Sequence, residues 1–198
     1  HPRGARHMVN PAKLVAASRV VYGDALFEQL YGEIRPVPES RVIAAADGHR
    51  IQLGGRELVF RDCPGHADHH FCIWDETSRG WFTGDVFGVS YQWCRMACGD
   101  FCMPSTTPTQ FRPEALKASL ALLGAAQPDT LYLTHYGALA YTPSKRELLE
   151  AQIDAYVALT RDLGEDVDRL ENAIMDYSLT QLAALDTGGD KQAWRDAL

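Results

Sequence analysis

Between Val42 and Asp85 the sequence is punctuated too often for helices. Val42-Ile43-Ala44-Ala45 meets a turn at Asp47-Gly48, Ile51 and Leu53 alternate with polar residues up to Gly54-Gly55, and Leu58-Val59-Phe60 runs apolar. Phe71 to Trp74 and Trp81 to Thr83 then bracket a polar turn at Asp75–Gly80. Period-two alternation broken by Gly and Asp is the pattern of strands joined by tight turns. The stretch predicts a meander of four or five strands.

The flanks follow a helical period. Asn10 before Pro11 is a capping side chain followed by a first-turn proline; it predicts a helix to about Leu30 with Leu14, Val15, Val21, Leu26 and Leu30 inward. Val86 to Gln110 is irregular and aromatic, with Tyr91, Trp93, Phe101 and the run Pro104-Ser-Thr-Thr-Pro108. Pro113 opens a helix through about Gly124, and Leu131-Tyr132-Leu133 is a short buried strand. Pro143 opens a long helix to about Leu163, with Leu148, Ile153, Tyr156 and Val157 inward. After a stop at Gly164, a helix from Asp166 to Leu185 presents Val167, Leu170, Ile174, Tyr177, Leu182 and Leu185 as one stripe. Such a stripe is core packing, or a homodimer contact if it is left exposed.

A length of 198 residues with 46% hydrophobic content is enough to bury a core. Nineteen Lys and Arg against 26 Asp and Glu give a formal charge of −7, which argues against nucleic acid or an anionic membrane as partner and leaves a small-molecule substrate. No apolar run approaches the roughly 20 residues of a bilayer span. Residues His1 to His7 have no apolar signal-peptide core, and the five cysteines form no Cys-x-x-Cys pair. Reduced thiols in the cytoplasm are therefore expected. Cys94, Cys98 and Cys102 recur every four residues, but Gly99 and Pro104 interrupt a helix there, so they read as small buried apolar residues rather than a cluster site.

Three short motifs each follow an expected strand: Cys63-Pro64-Gly65-His66-Ala67-Asp68-His69-His70, Thr83-Gly84-Asp85 and Thr134-His135-Tyr136-Gly137. Strand ends hold side chains rigidly, and adjoining glycines let backbone approach closely. Neutral imidazole and carboxylate suit Zn²⁺, Mn²⁺ or Fe²⁺. Each motif alone also reads as an ordinary turn.

Their order (strand–PGH, hairpin, strand–TGD, long loop, helix, strand–TH) resembles the second half of the metallo-β-lactamase fold, the superfamily that includes glyoxalase II-like hydrolases. Residues 1–14, His-Pro-Arg-Gly-Ala-Arg-His-Met-Val-Asn-Pro-Ala-Lys-Leu, resemble the segment after the first metal motif in an uncharacterised branch. The resemblance implies an α/β fold, the C-terminal part of a four-layer αβ/βα sandwich plus C-terminal helices. It implies His66, Asp85 and His135 as metal ligands, with Asp85 bridging two zinc ions, iron or manganese being alternatives. A metal-bound hydroxide would attack an ester, thioester or lactone. A single-iron sulfur dioxygenase on the same fold is the alternative, and a non-catalytic interaction module is the third. The family's His-x-His-x-Asp-His run is missing, and the sequence does not begin with Met. The expectation is an N-terminally truncated chain, inactive alone, with a partial domain over 1–142 and a helical extension packed on it over 143–198.

Around these ligands, His70 and Tyr136 are the candidate supporting or substrate-facing groups. His70 reads as a donor behind the metal or as the head of the next strand, and Tyr136 as a donor to a substrate carbonyl or a packed ring. His7 reads as structural or pocket-lining, and Asp68 as a turn residue or an orienting partner of a neighbouring imidazole. Trp93, Phe101 and Phe111 form a substrate wall or the loop's own small core.

Overall fold

The computed structural model describes residues 1–91, 101–105, 110–185 and 190–197. Four antiparallel strands follow the turns the sequence marks: β1 (Arg50–Leu53), β2 (Arg56–Asp62), β3 (Phe71–Asp75) and β4 (Gly80–Gly84). β5 (Thr130–Leu133) joins β4 in parallel, and β6 (Gly137–Ala140) closes a six-stranded sheet in the order β1 to β6. A parallel neighbour needs a crossover, supplied by α4 (Pro113–Ala125) with proline in its first turn. Three helices precede the sheet: α1 (Pro2–Val9), α2 (Ala12–Tyr22) and α3 (Asp24–Tyr31). After it come α5 (Pro143–Leu163), α6 (Val167–Leu185) and α7 (Lys191–Ala197).

The register explains how the sheet buries itself. Val59, Trp74, Trp81, Leu131 and Leu139 lie opposite one another across β2 to β6, so their side chains share one face. Leu116, Leu120 and Leu123 of α4, with Leu149 and Ile153 of α5, pack into the same core as Trp81, Leu131 and Leu139. The Trp81 indole donates to the Leu123 carbonyl at 3.1 Å, pinning the end of α4 to β4. The next row, Phe60, Ile73, Phe82 and Tyr132, points to the opposite face. There Phe82 and Tyr132 stack at 4.7 Å, and Phe82 is exposed.

Three expectations give way. The single helix from Asn10 to Leu30 is two helices, because the chain turns at Gly23 (φ 74), which ends α2 and opens α3. Asn10 does cap, accepting from the Ala12 amide at 3.1 Å. However, Leu14, Val21, Leu26 and Leu30 are exposed, and Phe27 is the buried residue of α3. Among the described residues Val42 to Ala45 joins no strand; Ile43 is exposed. The stripe on α6 is likewise rotated: Ser178, Leu179 and Leu182 are buried, while Val167 and Leu185 are exposed. Cys63, Cys72 and Cys102 are buried thiols, as small apolar residues should be, whereas Trp93, Cys94 and Cys98 lie outside the described residues.

Replacing Trp81 with Phe keeps the ring but orphans the buried Leu123 carbonyl. The expected cost is about 1–3 kcal/mol in a urea unfolding curve, with no change in its slope.

Candidate functional site

The Pro64-Gly65-His66 turn is locked from the α4 side. Ser119 Oγ donates to the Pro64 carbonyl at 2.7 Å and the Arg112 amide to the Gly65 carbonyl at 2.7 Å. Gly65 has φ 130, and a Cβ there would lie 2.3 Å from the Leu116 backbone nitrogen, so only glycine brings the turn this close. His66 is thereby buried, with Nδ1 3.0 Å from the Ser105 carbonyl. A carbonyl only accepts, so Nδ1 carries the proton of the neutral ring and Nε2 presents a lone pair.

That lone pair faces Asp85. His66 Nε2 is 3.7 Å from Asp85 Oδ2, and His135 Nε2 is 3.1 Å from Asp85 Oδ1. Asp85 Oδ1 is buried and, among the described residues, makes no hydrogen bond. The three motifs therefore meet at one carboxylate, each oxygen facing a different imidazole. Ligands held about 2.1 Å from one ion at tetrahedral angles lie about 3.4 Å apart, and the two observed separations bracket that spacing. The donor set, two imidazoles and a carboxylate, suits a borderline divalent cation. Among the described residues, no three His, Cys, Asp or Glu side chains form one metal-holding group. The arrangement is two pairs sharing Asp85.

His70 does not ligate here. Its Nε2 accepts from the Asp85 backbone amide at 3.0 Å, where one expectation has it donate, and it stands directly before β3 as the other has it. The contact requires Gly84: with φ 51, a Cβ at that position would fall 2.3 Å from His70 Nε2. Burial, reinforced by neighbouring His66, pushes the His70 pKa down to about 4, keeping the ring neutral and able to accept. Tyr136 sits beside His135 with φ 71, exposed, its ring 4.9 Å from that of Tyr91. Of the aromatic wall, Phe101 instead joins a separate cluster with Leu179, Leu182 and Trp194, and Phe111 packs on the sheet core.

Sequence reasoning missed the supports. Ser105 lies in the irregular Pro104–Pro108 run, where only its carbonyl matters, so side-chain type gives no signal. Buried Gln152 of α5 holds the same loop through a 2.8 Å bond to the Cys102 carbonyl; a polar residue between Leu149 and Ile153 was the available clue.

No family model matches the chain, and no curated protein sequence does. Solved structures do. A metallo-beta-lactamase superfamily protein of the archaeon Sulfolobus tokodaii superposes with TM-score 0.56 at 23% identity, over 74% of this chain and 51% of that one. A beta-lactamase domain protein from Burkholderia ambifaria does so with TM-score 0.50 at 17% identity, over 87% and 55%. The chain spans about half the length of these structures. The likeness shows the fold: over the part it covers, this chain has the metallo-β-lactamase fold.

Two measurements follow from the His70 contact. Its pKa is lowered from 6.5 to about 4, so the unfolded state binds the extra proton and stability falls as pH drops through that window. The metal-free protein should lose about 3 kcal/mol more between pH 7 and pH 4 than His70→Gln does, read from urea melts at each pH. Gly84→Ala should lower the melting temperature and weaken zinc binding together, since the added methyl displaces the ring that positions Asp85.

Proposed function

We propose that the chain carries the shared carboxylate and two imidazole ligands of a metal-dependent hydrolase acting on an ester, thioester or lactone. The observation that carries the reading is Asp85, whose two oxygens face two different histidines, one of them fixed through its far nitrogen to a backbone carbonyl. A bound divalent cation would supply an acidified water and a Lewis acid for the carbonyl oxygen.

The chain's own residues then do the following work. Ser105 holds the His66 ring so that its lone pair stays aimed at the metal position. His70, by accepting from the Asp85 amide, fixes the backbone from which the carboxylate projects. Asp85 keeps Oδ1 free of hydrogen bonds, leaving it available as a ligand. Tyr136, exposed beside His135, is positioned to donate to a substrate oxygen. These three ligands leave coordination positions to be filled by further groups, so the activity is that of the whole protein.

The test is direct. Zinc binding, followed by competition with a chromophoric chelator, should weaken about 100-fold or more in Asp85→Asn and in His66→Ala. Thioester or lactone turnover by the whole protein should vanish in chelator and return with zinc. Unchanged affinity in both variants would overturn the ligand assignment. Oxygen consumption with glutathione persulfide by iron-loaded protein, without hydrolysis, would move the reaction to the dioxygenase class.

A further inference from the structure

A cavity of about 600 Å³ lies between α1 and the loop that carries His66; its walls include Arg3, Arg6, His7, Asp68, His69 and Gln110. A second, of about 240 Å³, shares Arg6 and His7 and adds Asn10 and Lys13. Residues 1–13 contain Arg3, Arg6 and Lys13 and no Asp or Glu, within a chain of net charge −7. A local excess of cations in an acidic protein calls for an explanation beyond solubility.

The charges are not spent on one another. Asp68, the one carboxylate among the lining residues, is held between Arg3 at 3.2 Å and Arg112 at 2.5 Å, which clamps α1 to the loop. Among the described residues, neither Arg6 nor Lys13 has a carboxylate partner. Arg6 gives only its Nε hydrogen, to His7 Nε2 at 3.3 Å, which orients the guanidinium and leaves its two terminal amino groups as a planar fork. Such a fork matches two oxygens of a carboxylate or phosphate. Asp68 and His69, which line the larger cavity, belong to the same loop as His66.

We propose that these adjoining cavities bind the oxyanion of a small acidic ligand, a carboxylate or a phosphate, with Arg6, which lines both, as its bidentate partner and Lys13, which lines the smaller, as a second cation. As the anchor for a substrate's far end it rests on the hydrolase reading; as an anion site it stands without it.

The experiment is calorimetric titration of the whole chain with inorganic phosphate and, separately, with glutarate. Saturable binding of at least one probe is expected, and the stronger of the two identifies the anion's source. Arg6→Gln should weaken it about tenfold or more, Lys13→Gln in the same direction, and Arg161→Gln, at the far end of α5, not at all. Asp85→Asn should leave anion binding intact while removing zinc binding, so the two readings fail separately. No saturable binding of either probe, indifference to both Arg6→Gln and Lys13→Gln, or loss of anion binding in Asp85→Asn would each overturn the proposal.

Discussion

The hydrogen bond from the Asp85 amide to His70 Nε2 joins the two loops on which the site depends. One leaves β2 and carries His66; the other leaves β4 and carries Asp85. Without a link, each strand end would set its own side chain, and the carboxylate could rotate away from both imidazoles. The link works only because burial keeps His70 neutral and Gly84 has no side chain to hold the ring off. A histidine and a glycine beside the candidate ligands thus hold the backbone that carries Asp85.

Around that bond the remaining constraints converge from one side of the sheet. α4 holds the Pro64-Gly65 turn through Ser119 and Arg112, and its far end is pinned to β4 by Trp81. α5 holds the loop behind His66 through Gln152, and Met103 of that loop pairs with Val89 in both directions at 2.9 Å. Ser119 and Gln152 donate from the helical layer to loop carbonyls, Trp81 donates from the sheet to a helix carbonyl, and Met103 and Val89 tie one loop segment to another. Apolar burial between α4, α5 and the sheet therefore supplies the stability, and the hydrogen bonds convert it into fixed positions for Pro64, Gly65, His66 and Ser105.

The meander, the two proline-led helices and the meeting of His66 and His135 at Asp85 were legible because each has a local cause: turn residues, capping, and a His or Asp just after an apolar run. β6 was missed because Gly137-Ala-Leu-Ala140 has almost no side-chain pattern, and only its pairing with β5 makes it a strand. The direction of the His70 hydrogen bond was inverted for a related reason. Sequence shows that the imidazole is there, while which nitrogen accepts depends on the amide fifteen residues away. Ser105 acts through its carbonyl, which every residue possesses, so no residue-type argument finds it.

The failures on α2 and α3 share one origin. Periodicity identifies which residues want burial but not what meets them. Leu14, Val21, Leu26 and Leu30 have the helical spacing of an inner face and stay exposed, while Phe60, Ile73, Phe82 and Tyr132 line up across four strands on the face opposite α4 and α5. A sheet apolar on both sides has the pattern of one covered on both sides. At about 25 cal/mol per Å² of buried apolar surface, covering these aromatic and aliphatic groups is worth several kcal/mol.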